Sequence, residues 1–145
     1  MRGERSRKRP ASKHLSFATV NTKRMGPKMT IERKRGVYTG RNKATAYKDL
    51  VWTVATSADD SISFPEQTIE SLQTIENNLL ELGSSKHRIL SAQVFLTNLD
   101  NKAEMDKHWC AWLGDNPQHW PQRACVGVQL AGNTQIEITV VAARD

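Results

Sequence analysis

The chain has 145 residues, of which 25% are charged and 38% apolar, and a formal net charge of +6. That length suits one domain. No apolar run approaches the ~20 residues of a membrane helix, and 8 Gly with 5 Pro exclude a collagenous or wholly disordered chain.

The charge is unevenly placed. Residues 1–28 hold nine basic side chains and one acid, Glu4, for +8; residues 29–145 hold 12 basic and 14 acidic residues, for −2. In the first segment Leu15, Phe17 and Val20 stand isolated among Arg, Lys, Ser and Thr, without the apolar stretch of a secretory signal. A basic, disordered extension is the expectation for residues 1–28. Their Arg-rich, acid-poor composition also fits an organelle transit peptide, and a translation start at Met29 would leave them outside the protein. From Met29 onward the chain is expected to fold as a single domain. Cys110 and Cys125 are too few for a disulfide scaffold and read as reduced thiols of a cytoplasmic protein.

The body alternates between two periodicities. Arg35–Thr39 is a short strand candidate, and Asp49–Ala55, dense in apolar and β-branched residues, reads as a buried strand. Asp59–Pro65 is expected to be a loop. A helix is predicted over Glu66–Leu82: Pro65 suits its first turn, Gly83 its C-terminal cap, and Ile69, Leu72, Ile75, Leu79 and Leu82 form one stripe. Ile89–Leu96 is the next strand. A second helix follows over Lys102–Leu113, with Asn101 and Glu104 spaced as a capping box and Met105, Trp109 and Trp112 on one face. Gly114-Asp-Asn-Pro117 ends it. Arg123–Leu130 and Gln135–Ala142 read as two strands joined at Ala131–Thr134 in an antiparallel hairpin. In the second of them Ile136, Ile138 and Val140 share one face, opposite Glu137 and Thr139.

The resulting order, β-β-α-β-α-β-β, describes an α+β layer pair with two helices on one face of a sheet. The other face, carrying Trp52 or Val54, would be bare, so self-association is expected.

Few residues invite chemistry. Glu137 interrupts a run of Ile and Val: it is either a carboxylate on a solvated face or a buried one that needs a partner. Arg123 opens its strand after Trp120-Pro121-Gln122, as an ordinary rim residue or as a bidentate carboxylate clamp. Cys125, on the same strand face as Arg123, lacks a neighbouring base and reads as a packed thiol. His14, His87, His108 and His119 are scattered, and no metal-ligand spacing or phosphate-cradling loop occurs.

From about Arg41 to Arg144 the chain resembles the reactive intermediate deaminase (Rid) family, also called YjgF-like proteins. Two stretches carry the resemblance: Val94-Phe-Leu-Thr-Asn-Leu-Asp-Asn-Lys-Ala-Glu-Met-Asp106, and Pro121-Gln-Arg-Ala-Cys-Val126 followed by Ile136-Glu-Ile138 and a terminal Val-Ala-Ala-Arg. The resemblance implies a chorismate-mutase-like mixed sheet and a homotrimer with clefts between subunits. It also implies hydrolysis of enamine and imine intermediates such as 2-aminoacrylate or 2-iminopropanoate to a 2-keto acid and ammonia, with no cofactor and no metal. By position, Arg123 matches the family arginine that binds the substrate carboxylate, and Glu137 the glutamate that orients or activates water. Cys125 matches a cleft-lining cysteine. Beside it Ala124 is small, and the backbone N–H groups of both could face the ligand. Asp106 stands where many members have Asn. The chain departs from the family in two places: Arg41-Asn42 occupies the place of a Gly-Pro-Tyr, and Ala55-Thr56 that of a Ser before Gly. Arg41 is thus either an anion-binding group of the cleft or a surface residue.

Three functions compete on these grounds. The first is the deaminase. The second is a non-enzymatic homotrimer that binds a small carboxylate in the same cleft. The third is an RNA-directed role, since some family members have been described as endoribonucleases or translation inhibitors. The body's charge of −2 and its lack of an RNA-binding module weigh against a nucleic-acid partner.

Overall fold

Six strands and two α-helices follow one another among the described residues: β1 (Glu32–Arg35), β2 (Asn42–Tyr47), β3 (Leu50–Ala55), α1 (Phe64–Glu81), β4 (Ile89–Leu96), α2 (Lys102–Leu113), β5 (Gln122–Gly127) and β6 (Ile136–Ala143). The computed structural model describes residues 30–145. The expected basic extension and the Met29 start lie outside them. The strands form one sheet in the order β1-β2-β3-β6-β4-β5, antiparallel throughout except for the parallel pair β4–β5. Both helices cover one face, as the α+β reading expected.

The first strands lie differently from the expectation. Residues 36–41 are a turn, and the strands are the segments flanking it, so the order gains one strand. The sequence Asn-Lys-Ala-Thr-Ala-Tyr of β2 has weak β-propensity. Pairing with β1 and β3 and burial of Ala44 and Ala46 override it.

The expected hairpin of 123–130 with 135–142 does not form. β5 is an edge strand beside β4, and β6 lies between β3 and β4. The composition explains the exchange. Ile136, Ile138, Val140 and Ala142 are at most 3% exposed and fill the centre of the core, whereas Gln122, Arg123 and Gly127 suit a rim. The connection straddles the end of β4 instead of turning tightly: Val128 N donates to Leu96 O (2.9 Å) and Thr97 N to Gln135 O (3.2 Å).

α1 begins two residues before the predicted start, because Ser63 caps it. Ser63 Oγ accepts from Glu66 N (3.4 Å), and Glu66 Oε2 accepts from Ser63 N (3.2 Å). Gly83 closes it at φ +80°, in the left-handed region. Phe64, Leu72, Ile75 and Leu79 enter the core, with Thr68 and Ser71 on the same side. Ile69 does not, being 54% exposed: at 100° per residue it falls outside the arc those positions share. In α2, Met105, Trp109 and Leu113 are buried and Trp112 packs at the margin. The Asn101–Glu104 capping box is not formed. A 3-10 turn at Leu99–Asn101, capped by Asn98, runs directly into the helix, and Glu104 turns to His108 Nε2 (2.9 Å).

The face away from the helices carries Trp52, 39% exposed, with Val54, Phe95, Thr139 and Val141 half-buried beside it. A depression of about 470 Å³ crosses it, lined by residues of β2, β3, β4 and β6. Among the described residues, no helix is long and apolar enough to cross a membrane.

Candidate functional site

β5 and α2 bring four of the singled-out positions to one edge of the molecule. Arg123 pairs with Ala92 across the β4–β5 ladder, so its side chain lies on the helix side of the sheet. There its Nη2 donates to Asp106 Oδ1 at 2.6 Å, its Nη1 approaches Met105 Sδ at 3.7 Å, and its guanidinium lies 5.1 Å from the Trp109 ring centroid. Asp106 Oδ2 also accepts from Lys102 Nζ (2.8 Å), one turn earlier on α2. Burial acts to raise the Asp106 carboxyl pKa, but the hydrogen bonds and charges of Lys102 and Arg123 outweigh it and hold the group below the usual aspartate value. The three side chains form a cation–carboxylate–cation cluster of net charge +1.

Cys125 lies level with Val94 and packs against the core, as a packed thiol should. Ala124, level with Gln93, faces the opposite side of the sheet. Consecutive N–H groups of a strand point to opposite edges. The N–H groups of Ala124 and Cys125 therefore cannot both reach one ligand, contrary to the expectation; an edge strand leaves one of the two outside the ladder.

Glu137 and Arg41 come together elsewhere. Glu137 lies between Ile136 and Ile138, both buried under the helices, so its own side chain emerges on the bare face, half-buried. It lines a cavity of about 260 Å³ at the end of β3, together with Arg41, Tyr38, Thr56, Ser57 and Asn78. The Arg41 guanidinium carbon lies over the Tyr38 ring, 4.3 Å from its centroid. Asn78 is held by α1 and donates through Nδ2 to Thr53 Oγ1 (3.0 Å). Tyr38, Ser57 and Asn78 were not singled out from the sequence. An aromatic residue three positions before an isolated Arg was the available signal for Tyr38; Asn78 gives none, because only the fold turns it inward.

Arg123 and Glu137 do not meet within the chain. Through β4, Arg123 is level with Val140 and Glu137 with Val126. That is two strand spacings and three residues of rise, or roughly 14 Å between backbones, and the side chains lie on opposite faces. No group of three or more His, Cys, Asp or Glu side chains that could hold a metal ion occurs among the described residues.

Comparison with known proteins places these residues in a family. The Endoribonuclease L-PSP family model matches residues 53–144, from β3 to the end of β6. The chain belongs to this family, that of the YjgF-like proteins. A RutC family protein of Haemophilus ducreyi is 35% identical over 86 residues, which are 59% of this chain and 72% of the relative. The RutC family protein YoaB of Escherichia coli is 38% identical over 79 residues, 54% of this chain and 68% of the relative. Among solved structures, a YjgF family member from Neisseria meningitidis superposes with a TM-score of 0.73 at 28% identity, over 81% of this chain and 97% of its own. A protein described as a putative translation initiation inhibitor from Salmonella typhimurium does so with a TM-score of 0.70 at 32% identity, over 79% and 98%. Arg123, Glu137, Asp106, Cys125 and Ala124 fall inside the matched segment of the L-PSP family. Arg41 precedes it.

Proposed function

We propose that the protein is a hydrolytic deaminase of reactive enamine and imine intermediates of the 2-aminoacrylate and 2-iminopropanoate type. In this reading it acts as a homotrimer, in clefts between subunits. The observation that carries the reading is the separation of Arg123 from Glu137. They are too far apart, on opposite faces, to share a small ligand within one subunit. The bare face around Trp52 and Val54 supplies the apolar surface for association, which would set Glu137 of one copy beside the β5 edge of the next.

The chemistry asks little of the protein. The protonated imine carbon is already electrophilic. Arg123 of one subunit holds the 2-carboxylate. Glu137 of the adjoining subunit orients a water and takes its proton as the oxygen bonds to C2. Glu137 returns that proton to the nitrogen and takes the remaining hydroxyl proton as C2=O forms and the C–N bond breaks, giving the 2-keto acid and ammonia, which leaves with that last proton as ammonium. Against a polyanionic RNA substrate stands the charge of the described residues, 12 basic and 14 acidic.

The test is ammonia release from 2-iminopropanoate generated in solution. A rate above the spontaneous background, lost in Arg123→Ala, supports the reading. An intact trimer that adds nothing to the background overturns it.

A further inference from the structure

The cavity beside Glu137 holds a cation that the reaction as described leaves unused. Arg41 is exposed at its rim and has no carboxylate partner among the described residues. The other cation in the lining, Lys43, is engaged by Glu81 at 2.8 Å. The Arg41 Cζ lies over the Tyr38 ring, 4.3 Å from its centroid. A cation–π contact holds a guanidinium by its charge and does not use up its five N–H donors, which stay available to a carboxylate.

We propose that Arg41 makes this cavity a subsite for a second carboxylate, so that the site prefers imines of acidic amino acids, such as 2-iminosuccinate, over 2-iminopropanoate. The inference rests on the deaminase reading for its reaction. The balance is that of the parent reaction: 2-iminosuccinate and water give oxaloacetate and ammonia, with the second carboxylate unchanged.

Charge complementarity argues for it. In the assembled cleft Arg123, Lys102 and Arg41 carry +3, while Asp106 and Glu137 carry −2, leaving +1. A protonated monocarboxylate imine has no net charge and leaves that excess in place; a protonated dicarboxylate imine carries −1 and cancels it. Without Arg41, Glu137 would repel any anionic side chain entering here. The cavity, about 260 Å³, lies just below the range of drug-sized ligand sites and suits a small metabolite. Arg41 lies ahead of the segment matched by the L-PSP family model, so the preference is read from this chain's own residues.

The test compares two imines and two pairs of keto acids on the full chain. For hydrolysis, kcat/KM for 2-iminosuccinate is expected to exceed that for 2-iminopropanoate by about tenfold or more. The ratio should fall to near one in Arg41→Ala, fall further in Arg41→Glu, and be partly kept in Arg41→Lys. For binding, titration calorimetry should show oxaloacetate and 2-oxoglutarate held more tightly than pyruvate and 2-oxobutanoate, with the difference lost in Arg41→Ala. A chain that hydrolyses 2-iminopropanoate but shows no Arg41-dependent preference in either measurement overturns the subsite and upholds the deaminase. A chain that hydrolyses neither imine, yet binds the diacids preferentially through Arg41, upholds the subsite and overturns the deaminase.

Discussion

Arg123, on an edge strand, donates to Asp106 on α2 across 2.6 Å, and Asp106 also holds Lys102 at 2.8 Å. The contact fixes the plane of the guanidinium and spends part of its charge before any ligand arrives. Aspartate at this position therefore both orients the proposed carboxylate clamp and weakens it. Replacing Asp106 by Asn keeps an acceptor and removes the opposing charge. Binding of a keto acid such as pyruvate is expected to tighten about fivefold, or about 1 kcal/mol for relief of a like charge in a partly screened site. Calorimetric titration of wild type and Asp106→Asn checks it, and unchanged or weaker binding would show that Arg123 does not meet the ligand.

The same carboxylate gives a pH prediction. Its folded pKa is depressed by Lys102 and Arg123 against the raising effect of burial. A depressed acid stabilises the fold fully above its unfolded pKa, and that contribution disappears as pH falls through the folded value. The window thus lies below about pH 4. The side chain is 35% exposed, so the amount is no more than about 1 kcal/mol after solvent screening. Urea midpoints of wild type and Asp106→Asn should differ at pH 7 and converge toward pH 2.5. A constant gap across that range would mean that the ion pairs do not contribute.

The Glu137 carboxylate forms no hydrogen bond or ion pair with another described residue. Glu137→Gln should leave folding and keto-acid binding nearly intact while lowering kcat on 2-iminopropanoate by about 10²–10⁴, the usual contribution of a positioned general base. Loss of binding equal to the loss of rate would point to a ligand-holding role instead.

Trp52, 39% exposed on the face away from the helices, should hold the proposed assembly together. Trp52→Asp is expected to shift the protein to monomers by light scattering. Deaminase activity should be lost with it, because Arg123 and Glu137 then have no shared ligand. Monomers that retain full activity would contradict the proposed intersubunit cleft.

Arg144 tests the fold independently of the site. Its side chain is 1% exposed; Nε donates to Lys48 O (2.8 Å), Nη1 to Leu82 O (3.2 Å), and Nη2 pairs with Glu32 at 3.1 Å. It ties β1, the β2–β3 turn and the end of α1 to the C-terminal segment. Arg144→Ala should cost about 3 kcal/mol by chemical denaturation, since the Leu82 carbonyl loses its donor in a buried place, the Lys48 carbonyl in a part-buried one, and the ion pair with Glu32 goes with them. A cost below about 1 kcal/mol would mean that water replaces the cation there.

Much of this protein was readable from its sequence, for local reasons. The alternation Ile136-Glu-Ile138, the stripe Leu72, Ile75 and Leu79, and the Gly83 stop are short-range signals, set by strand and helix periods that no distant contact needs to supply. They determined an α+β layer pair with a bare sheet face and marked Arg123 and Glu137 as residues out of pattern. Tertiary structure decided the rest, because strand neighbours are chosen by which chain segments bury most. It moved β5 from a hairpin with β6 to the edge beside β4, and drew the weakly β-forming β2 into the sheet. Across some 14 Å it set Arg123 and Glu137 on opposite faces, and it closed Arg41 and Tyr38 around the cavity that Glu137 lines. Those relations depend on strands and helices from distant parts of the chain. They follow from shared burial in a folded sheet, which no local pattern encodes.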